Sequence, residues 1–225
     1  MNTELARFNM IEQQIRPWDV LDPAVLALLA TVRRENFVPP AMRALAFVDT
    51  QVPLLPGVAG AVMLEPKVEA RLLQQLQVQR HHKVLEIGTG SGFMAALLAH
   101  RAMQVTTLEC RPELARLARE SLRRNGIVNV TVVDVSAEQG ALGLAAEAPF
   151  DAILLSGSVA EVPNVLLQQL KPGGRLVAVV GELPIMRARL YTRGGDTPAA
   201  WSQEDLFDTV APRLEGFAAA TRFIF

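Results

Sequence analysis

The chain has 225 residues, of which 50% are hydrophobic and 20% charged, and its 22 Lys and Arg nearly balance its 23 Asp and Glu. This composition excludes a disordered protein, and the balanced charge offers nucleic acid no positive surface. The longest apolar runs fall short of the roughly 18 to 20 residues that a membrane span needs. One cysteine and three histidines do not provide a disulfide framework or a four-ligand zinc site. We therefore expect a cytoplasmic, metal-free protein with no nucleic-acid or membrane partner.

The first 82 residues are predicted to be helical and interrupted by prolines. Asp22 followed by Pro23 indicates a helix start, because aspartate caps a helix and proline fits its first position. The segment from Asp49 to Leu64, named here the 49–64 loop, has two prolines and two glycines without a sustained period, which is typical of a loop. The predicted helices are Leu5–Ile15, Pro23–Arg33, Pro40–Ala46 and Pro66–Leu76.

From Lys83 onward, short apolar strands alternate with amphipathic helices. This alternation predicts an α/β fold in which helices cover both faces of a mostly parallel sheet. The predicted strands are Lys83–Ile87, Gln104–Glu109, Asn129–Asp134, Phe150–Leu155 and Gly174–Val180. The predicted helices are Phe93–Arg101, Pro112–Asn125 and Glu161–Leu170, the last ended by Lys171–Gly174. Two later strands, Met186–Thr192 and Ala218–Phe225, have no helix between them and predict an antiparallel end to the sheet.

The most informative segment is a glycine turn between the first predicted strand of the sheet and the helix after it. Gly88, Gly90 and Gly92 let the backbone turn tightly and approach a ligand. Glu109 lies 21 residues after Gly88, at the end of the next strand, where an acid hydrogen-bonds a ribose hydroxyl in nucleotide-binding βαβ units. These features predict a site for an adenosine-type ligand. The alternative is a tight strand-to-helix turn without a ligand.

Two side chains distinguish between adenosine-type ligands. A dinucleotide-binding turn has a third glycine where this chain has Phe93, and Glu86 would repel a pyrophosphate but attract an ammonium group. The combination resembles motif I of the class I methyltransferases. This resemblance implies a Rossmann-like, doubly wound fold with S-adenosyl-L-methionine as cofactor and S-adenosyl-L-homocysteine as product. The cofactor residues that it implies are Glu86, Gly88, Thr89, Gly90, Ser91, Gly92, Glu109 and Cys110.

Several further segments resemble the protein-L-isoaspartate O-methyltransferases. They are Met10–Arg16, Arg34–Pro39, Ala46–Asp49, Val84–Gly92, Ala148–Ile153 and Leu170–Leu176. The resemblance implies an enzyme of protein repair that methylates a carboxylate, such as L-isoaspartyl, in damaged proteins or peptides. Within one expected domain, 1–225, a change of composition near residue 82 separates a helical cap with the 49–64 loop, 1–82, from the cofactor-binding sheet, 83–225.

The 49–64 loop departs from that family's pattern. Where the family has Gly-Gln-Thr-Ile-Ser-Gln-Pro, this chain has Gly60-Ala-Val-Met-Leu-Glu-Pro66. Val62 and Leu64 therefore replace two hydroxyl side chains that the family places by the methyl-transfer site. Two alternatives stay open because of this change. One is a methyltransferase relative with a different acceptor, and the other is a non-catalytic protein that binds S-adenosyl-L-methionine.

A second departure concerns the adenine. The family has a Gly-Asp-Gly stretch after the third strand that contacts this base. Here Ser136 takes the position of the aspartate, and Asp134 lies two residues earlier. We expect Asp134, Ser136 and Ala137 near the adenine, with the base read by either Asp134 or Ser136.

The placement of the histidines favours a carboxylate acceptor. His81, His82 and His100 are predicted at the end of the sheet opposite the glycine turn, so none is available there as a base. A carboxylate, with an ordinary pKa of about 4, is ionised at pH 7 and needs no base. No catalytic residue is therefore assigned. The acceptor-site candidates are Asp49, Val62, Leu64, Glu65, Ser156 and Ser158, with Arg16, Trp18 and Lys67 as further groups that could bind a carboxylate or shape its pocket.

Overall fold

The computed structural model describes residues 2–195 and 201–219. Its α-helices are α1 Thr3–Met10, α2 Pro23–Thr31, α3 Pro66–Leu76, α4 Phe93–Ala99, α5 Pro112–Arg124, α6 Ala137–Ala141 and α7 Asn164–Leu167. A π-helical turn, Ile11–Ile15, continues α1, and 3-10 turns lie at Arg16–Trp18, Arg34–Asn36, Pro40–Leu45 and Ala145–Glu147. The strands are β1 Val52–Pro53, β2 Val62–Met63, β3 Lys83–Ile87, β4 Gln104–Glu109, β5 Val130–Asp134, β6 Phe150–Val159, β7 Leu170–Glu182, β8 Ile185–Arg193 and β9 Trp201–Asp208. None of the helices in these two ranges has the length and apolar character of a membrane span.

Strands β3 to β9 of the described chain form one seven-stranded sheet in the order β5-β4-β3-β6-β7-β8-β9. Neighbours from β5 to β7 are parallel, whereas β7, β8 and β9 pair antiparallel. Parallel strands are covered on both faces, which is why β3 and β6 are mostly apolar and buried. The predicted α/β fold, with a mostly parallel sheet and an antiparallel C-terminal end, is confirmed.

The glycine turn lies where the strand order of the sheet reverses. From β3 the chain crosses to β4 on one side and later to β6 on the other side. The carboxyl ends of these strands leave a crevice outside β3, which is where open α/β sheets bind ligands. Strands β3 and β4 have the predicted bounds, so Gly88 and Glu109 both lie at this crevice.

The N-terminal helices share their apolar core with the sheet. Buried Met10 and Ile15, from α1 and its π-helical turn, belong to the same cluster as Leu72 of α3 and Val177 of β7. This continuous core supports our proposal of a single domain in which residues 1–82 form a cap. The start of α2 is as predicted, because the side chain of Asp22 accepts a hydrogen bond from the N–H of Ala24 at 2.8 Å.

The prediction for the region around β6 and α7 is wrong in two respects. β6 continues to Val159 instead of ending at Leu155, because its pairing with β7 resumes at Ser158 and Val159 after an irregularity; Ser158 also bridges to Arg213 near the C-terminus. The helix predicted over Glu161–Leu170 is reduced to α7. Pro163 disfavours a helical conformation in the residue before it, and Lys171–Gly174 forms an irregular part of β7 instead of a helix end.

Other differences concern elements with weak local patterns. The 49–64 loop contains a two-residue antiparallel pair, β1 with β2, that is too short for a periodic signal. The prediction also omits α6 and β9, and β9 is largely polar because its outer edge is exposed. The strand predicted over Ala218–Phe225 lies mainly outside the described residues, since 220–225 are not among them.

The side chain of Arg34 connects the cap to the sheet. Its Nε donates to the carbonyl oxygen of Ala46 at 2.9 Å, and its Nη2 donates to that of Leu64 at 2.6 Å. The guanidinium forms a buried ion pair with Glu69 of α3 and lies 4.9 Å from the ring centre of Phe93, the first residue of α4. Only 1% of Arg34 is exposed, so its charge depends on these partners.

We expect Arg34→Met to lower the free energy of unfolding by about 3–5 kcal/mol, because the substitution leaves the Glu69 carboxylate buried without its partner. Urea denaturation followed by circular dichroism measures this change. Arg187→Met is the control, because Arg187 makes its ion pairs to Asp205 and Asp208 on the exposed surface and should leave the midpoint nearly unchanged. Equal stability of the two variants would contradict a central role for Arg34.

Candidate active site

The glycine turn adopts a conformation that favours glycine. Gly88, Gly90 and Gly92 have φ angles of +93°, +55° and +83°. A Cβ at Gly92 would lie 3.2 Å from the Cβ of Ala118, so this glycine allows α4 and α5 to pack closely. A Cβ at Gly90 would meet only a methyl of Leu54 at 3.5 Å and the Val62 carbonyl oxygen at 4.0 Å. Gly90 therefore borders open space between the turn and the 49–64 loop.

Glu109 is fixed at the end of β4 by main-chain hydrogen bonds. Its Oε2 accepts from the N–H of Gly90 at 2.8 Å, and its Oε1 accepts from the N–H of Arg111 at 3.0 Å. Burial raises the pKa of Glu109, while these hydrogen bonds favour the ionised form and oppose the rise. The carboxylate is thus held in one orientation beside the glycine turn.

Glu86 is fully buried at the end of β3 and receives hydroxyl hydrogen bonds. Ser156 Oγ donates to Oε1 at 2.7 Å, and Thr107 Oγ1 donates to Oε2 at 2.8 Å. Thr107 in turn lies 2.7 Å from the hydroxyl of Thr89, which donates to it because the Thr107 proton is engaged with Glu86. Burial raises the pKa of Glu86 to about 8, against the lowering effect of the two hydroxyls.

Two adjoining cavities lie at this edge of the sheet. The outer cavity is lined by Gly88, Gly90, Glu109, Cys110 and Arg111, by Val135, Ala137 and Gly140, and by residues of a C-terminal segment. The inner cavity is lined by Leu64, Glu69, Glu86, Thr89, Ser91 and Met94 among others. Both cavities share Val62, Gly88, Gly90 and Ser156. A ligand with an adenosine at one end and an ammonium at the other could therefore extend from Glu109 to Glu86.

Comparison with known proteins identifies the family. The protein-L-isoaspartate(D-aspartate) O-methyltransferase (PCMT) family profile matches residues 6–203. The chain belongs to this family. Its members are S-adenosyl-L-methionine-dependent methyltransferases that act on isoaspartyl residues in proteins. The resemblance inferred from the sequence motifs is confirmed.

Relatives and solved structures agree with the assignment. The protein-L-isoaspartate O-methyltransferase of Methanoculleus marisnigri is 41% identical over 175 residues, which are 78% of this chain and 77% of the relative. That of Koribacter versatilis is 41% identical over 189 residues, covering 84% and 82%. A Plasmodium falciparum structure described as this enzyme in complex with S-adenosyl-L-homocysteine has a TM-score of 0.73 at 20% identity, covering 96% of this chain and 99% of that one. This last likeness shows the shared fold.

The fold divides the residues predicted to bind the cofactor into those that line a cavity and those that do not. Glu86, Thr89 and Ser91 line the inner cavity, and Glu109, Cys110 and Ala137 line the outer one. Asp134 forms an ion pair with Arg119, and Ser136 caps α6 through a hydrogen bond from Gln139 N. Neither lines the outer cavity, where Val135 and Gly140, absent from the prediction, are found. Which side chain would read an adenine stays a prediction.

The acceptor-site candidates do not lie together in the structure. Val62 and Ser156 lie where the two cavities meet, and Leu64 lines the inner cavity. Ser158 is buried away from both cavities and donates to the Ala211 carbonyl oxygen at 2.8 Å. Glu65 precedes α3 without capping it.

The last acceptor-site candidate, Asp49, and the three further candidates Arg16, Trp18 and Lys67 lie at the surface of the cap. The ammonium of Lys67 lies 2.6 Å from Asp49 Oδ2 and 4.2 Å from the ring centre of Trp18. Arg16 pairs with Glu12 at 2.8 Å, one helical turn earlier in the chain. None of these four side chains lines either cavity in the described part of the chain. A role in the reaction would require contact with an acceptor that extends beyond the cavities.

Two parts of the site are missing from the sequence prediction. Residues Ala211–Phe217, named here the C-terminal strap, contribute Arg213, Leu214, Glu215 and Phe217 to the outer cavity. Glu69 contributes a buried carboxylate to the inner cavity, and burial raises its pKa to about 7 against the opposing effect of Arg34. The strap has no periodic pattern, and Glu69 resembles any polar residue of a helix. The available signal was weak in both cases: Pro212 and Gly216 mark a turn, and Glu69 lies one helical turn from apolar Leu72 and Leu73.

We expect cofactor binding to release close to one proton at pH 7. With a pKa of about 8, Glu86 is mostly protonated in the free protein, and a nearby ammonium group would favour its ionised form. Affinity for S-adenosyl-L-methionine should therefore rise as pH increases from 6 toward 8. Titration calorimetry in buffers of different ionisation enthalpy measures the released proton.

The variant Glu86→Gln should remove most of the proton release and most of the rise in affinity between pH 6 and 8; Glu69, which lines the same cavity and has a pKa of about 7, can contribute only the remainder because Arg34 already supplies its counter-charge. Glu204→Gln, on the exposed strand β9, is the control and should behave like the unaltered protein. Binding heats that do not depend on the buffer in the unaltered protein would show that Glu86 is not the group that faces the cofactor's ammonium.

Proposed function

We propose that this protein transfers a methyl group from S-adenosyl-L-methionine to the free carboxylate of L-isoaspartyl residues in damaged proteins or peptides. The observation that carries the proposal is the meeting of the two cavities at Val62, Gly88, Gly90 and Ser156, directly under the 49–64 loop. A cofactor seated on the glycine turn would present its methyl group there. Family membership supports the isoaspartyl acceptor, and a cytoplasmic location stays part of this proposal.

The residues present fit the cofactor at each of its polar parts. Glu109, held by the N–H groups of Gly90 and Arg111, keeps carboxylate lone pairs for ribose hydroxyls. Glu86 would hold the ammonium group. This group would be the counter-charge for a buried carboxylate whose hydrogen-bond partners are hydroxyls. Cys110 and Ala137 offer small side chains beside an adenine ring. The donor set therefore matches a cationic adenosine derivative.

Methyl transfer depends more on the alignment of donor and acceptor than on acid–base catalysis. Bound S-adenosyl-L-methionine supplies a methyl group on a positively charged sulfur, which is already activated for displacement. The chain's part is to hold donor and acceptor in line and to exclude water, which the 49–64 loop and the strap do by covering the cavities. A carboxylate acceptor is ionised at pH 7. No histidine of the described chain lines either cavity, so this acceptor suits the residues available.

The side chains of the 49–64 loop favour a second candidate function. Val62 and Leu64 present apolar surface to the cavities, where the family pattern has two hydroxyls. In the described chain, Ser156 is the hydroxyl residue shared by both cavities, and its proton is engaged with Glu86. An acceptor that needs fewer hydrogen bonds from the loop would fit this surface. A methyltransferase with such an acceptor is therefore the alternative.

We expect labelled methyl transfer to a peptide that contains L-isoaspartate, and no transfer to the same peptide with ordinary aspartate. The two peptides differ in that the free carboxylate of isoaspartate is joined directly to Cα, whereas that of aspartate is one methylene further from the main chain. The measurement counts volatile methanol released from the base-labile ester. If the protein binds S-adenosyl-L-homocysteine but methylates neither peptide, the isoaspartyl acceptor is wrong and the alternative acceptor or the non-catalytic binding protein is favoured.

We expect Val62→Thr to raise kcat/KM for the isoaspartyl peptide about 2- to 10-fold, because the new hydroxyl at the junction of the cavities can add one hydrogen bond to the acceptor. Threonine has nearly the shape of valine, so the loop should keep its position. The control is Val58→Thr, an exposed position in the same loop. Unchanged kinetics in Val62→Thr would indicate that the acceptor does not approach the loop at this residue.

A further inference from the structure

Two separate segments of the chain form the outer wall of the outer cavity. One is the 49–64 loop, which contributes Gly60 and Val62, and the other is the C-terminal strap, which contributes Arg213, Leu214 and Glu215. A Cβ at Gly60 would lie 3.7 Å both from Arg111 Nη2 and from the Cβ of Pro212. The loop and the strap therefore come close to each other beside Arg111. A cofactor in this cavity would face both segments.

The strap is fixed to the sheet along one side. The N–H of Ser158 donates to the Pro212 carbonyl oxygen at 2.7 Å, and the N–H of Leu214 donates to the Ser158 carbonyl oxygen at 2.9 Å. On the other side, Gly216 packs so closely on α6 that a Cβ there would overlap the Ala137 carbonyl oxygen. The Leu214 side chain lies against Gly88 of the glycine turn. The strap thus crosses the crevice from β6 to α6.

Arg111 is the residue that joins the strap to the loop. Its Nε donates to Glu215 Oε1 of the strap at 2.7 Å, and its Nη2 donates to the Ala59 carbonyl oxygen of the loop at 3.1 Å. Its own N–H donates to Glu109, so its backbone is tied to the carboxylate that lines the cavity. The planar guanidinium can donate in two directions at once, which a lysine ammonium on its flexible stem does less well. About a quarter of the side chain is exposed.

We propose that Arg111 is a positioning residue that clasps the 49–64 loop and the C-terminal strap over the cofactor cavity and so controls the exchange of cofactor and product. The proposal rests on the cofactor part of the proposed function and not on its acceptor. An exposed ion pair alone contributes little to folding stability. We therefore expect the clasp to affect mainly the rate at which the cavity opens, and less the free energy of unfolding.

Dissociation of S-adenosyl-L-homocysteine provides the first test. The bound product is displaced by an excess of S-adenosyl-L-methionine, and the dissociation rate constant is measured in a stopped-flow instrument. We expect Arg111→Met to raise this rate constant about 5- to 30-fold, since both hydrogen bonds are lost. Arg111→Lys and Glu215→Gln should give smaller increases, because each keeps one connection. Arg187→Met, which breaks a comparable pair of contacts between β8 and β9, is the matched control and should leave the rate unchanged.

Amide hydrogen exchange of the ligand-free protein provides the second test. Arg111→Met should increase exchange both in residues 57–62 and in residues 211–217, whereas Glu215→Gln should increase it mainly in 211–217. Increased exchange in only one segment of Arg111→Met, or an unchanged dissociation rate constant, would overturn the clasp.

The two tests separate this proposal from the proposed function. Neither uses a methyl acceptor, so a failure to methylate isoaspartyl peptides would leave the clasp standing. If the unaltered protein failed to bind S-adenosyl-L-homocysteine, the cofactor part of the proposed function would be wrong. Hydrogen exchange would then be the deciding test. The clasp would still require that Arg111→Met exchanges faster than the unaltered protein in both segments.

Discussion

A single buried guanidinium, that of Arg34, ties the cap to the glycine turn. It donates to the main-chain carbonyls of Ala46 and Leu64 and pairs with Glu69 of α3. It also stacks on Phe93, the residue that replaces the third glycine of a dinucleotide-binding turn. An uncompensated charge in the core is strongly destabilising. The partners of the Arg34 guanidinium are therefore held in fixed positions around it. The distance between the 49–64 loop and the glycine turn is thus set by the core of the protein.

We propose that the buried acids give the site a preference for a cationic ligand. Burial raises the pKa of Glu86 to about 8 and that of Glu69 to about 7. Glu69 has Arg34 as a counter-charge, while Glu86 receives hydrogen bonds from the hydroxyls of Ser156 and Thr107. A ligand that brings its own positive charge would stabilise the ionised form of Glu86, whereas a pyrophosphate would be repelled by the ionised form and would find no counter-charge in the protonated one. We therefore propose that Glu86 favours a cationic adenosine derivative over a dinucleotide.

The sequence predicts correctly those parts of the fold that depend on residues close together in the chain. Strands β3 and β4 and the start of α3 at Pro66 have their predicted positions, because apolar runs and helix starts act over a few residues. The pairing of Arg34 with Glu69 and the docking of the C-terminal strap on Ser158 join distant segments, and no local pattern contains them. For the same reason spacing could place Ser136 after β5 but could not show that its hydroxyl caps α6.

The 49–64 loop is held at two points through its main chain. Arg34 donates a hydrogen bond to the carbonyl oxygen of Leu64, and Arg111 donates one to that of Ala59. Every residue type has such a carbonyl, so side chains at positions 62 and 64 can change without releasing the loop. Val62 and Leu64 therefore make the cavity surface more apolar without releasing the main chain of the loop. For this reason we propose that the acceptor, more than the cofactor, is the part of the reaction in which this chain can differ from its relatives.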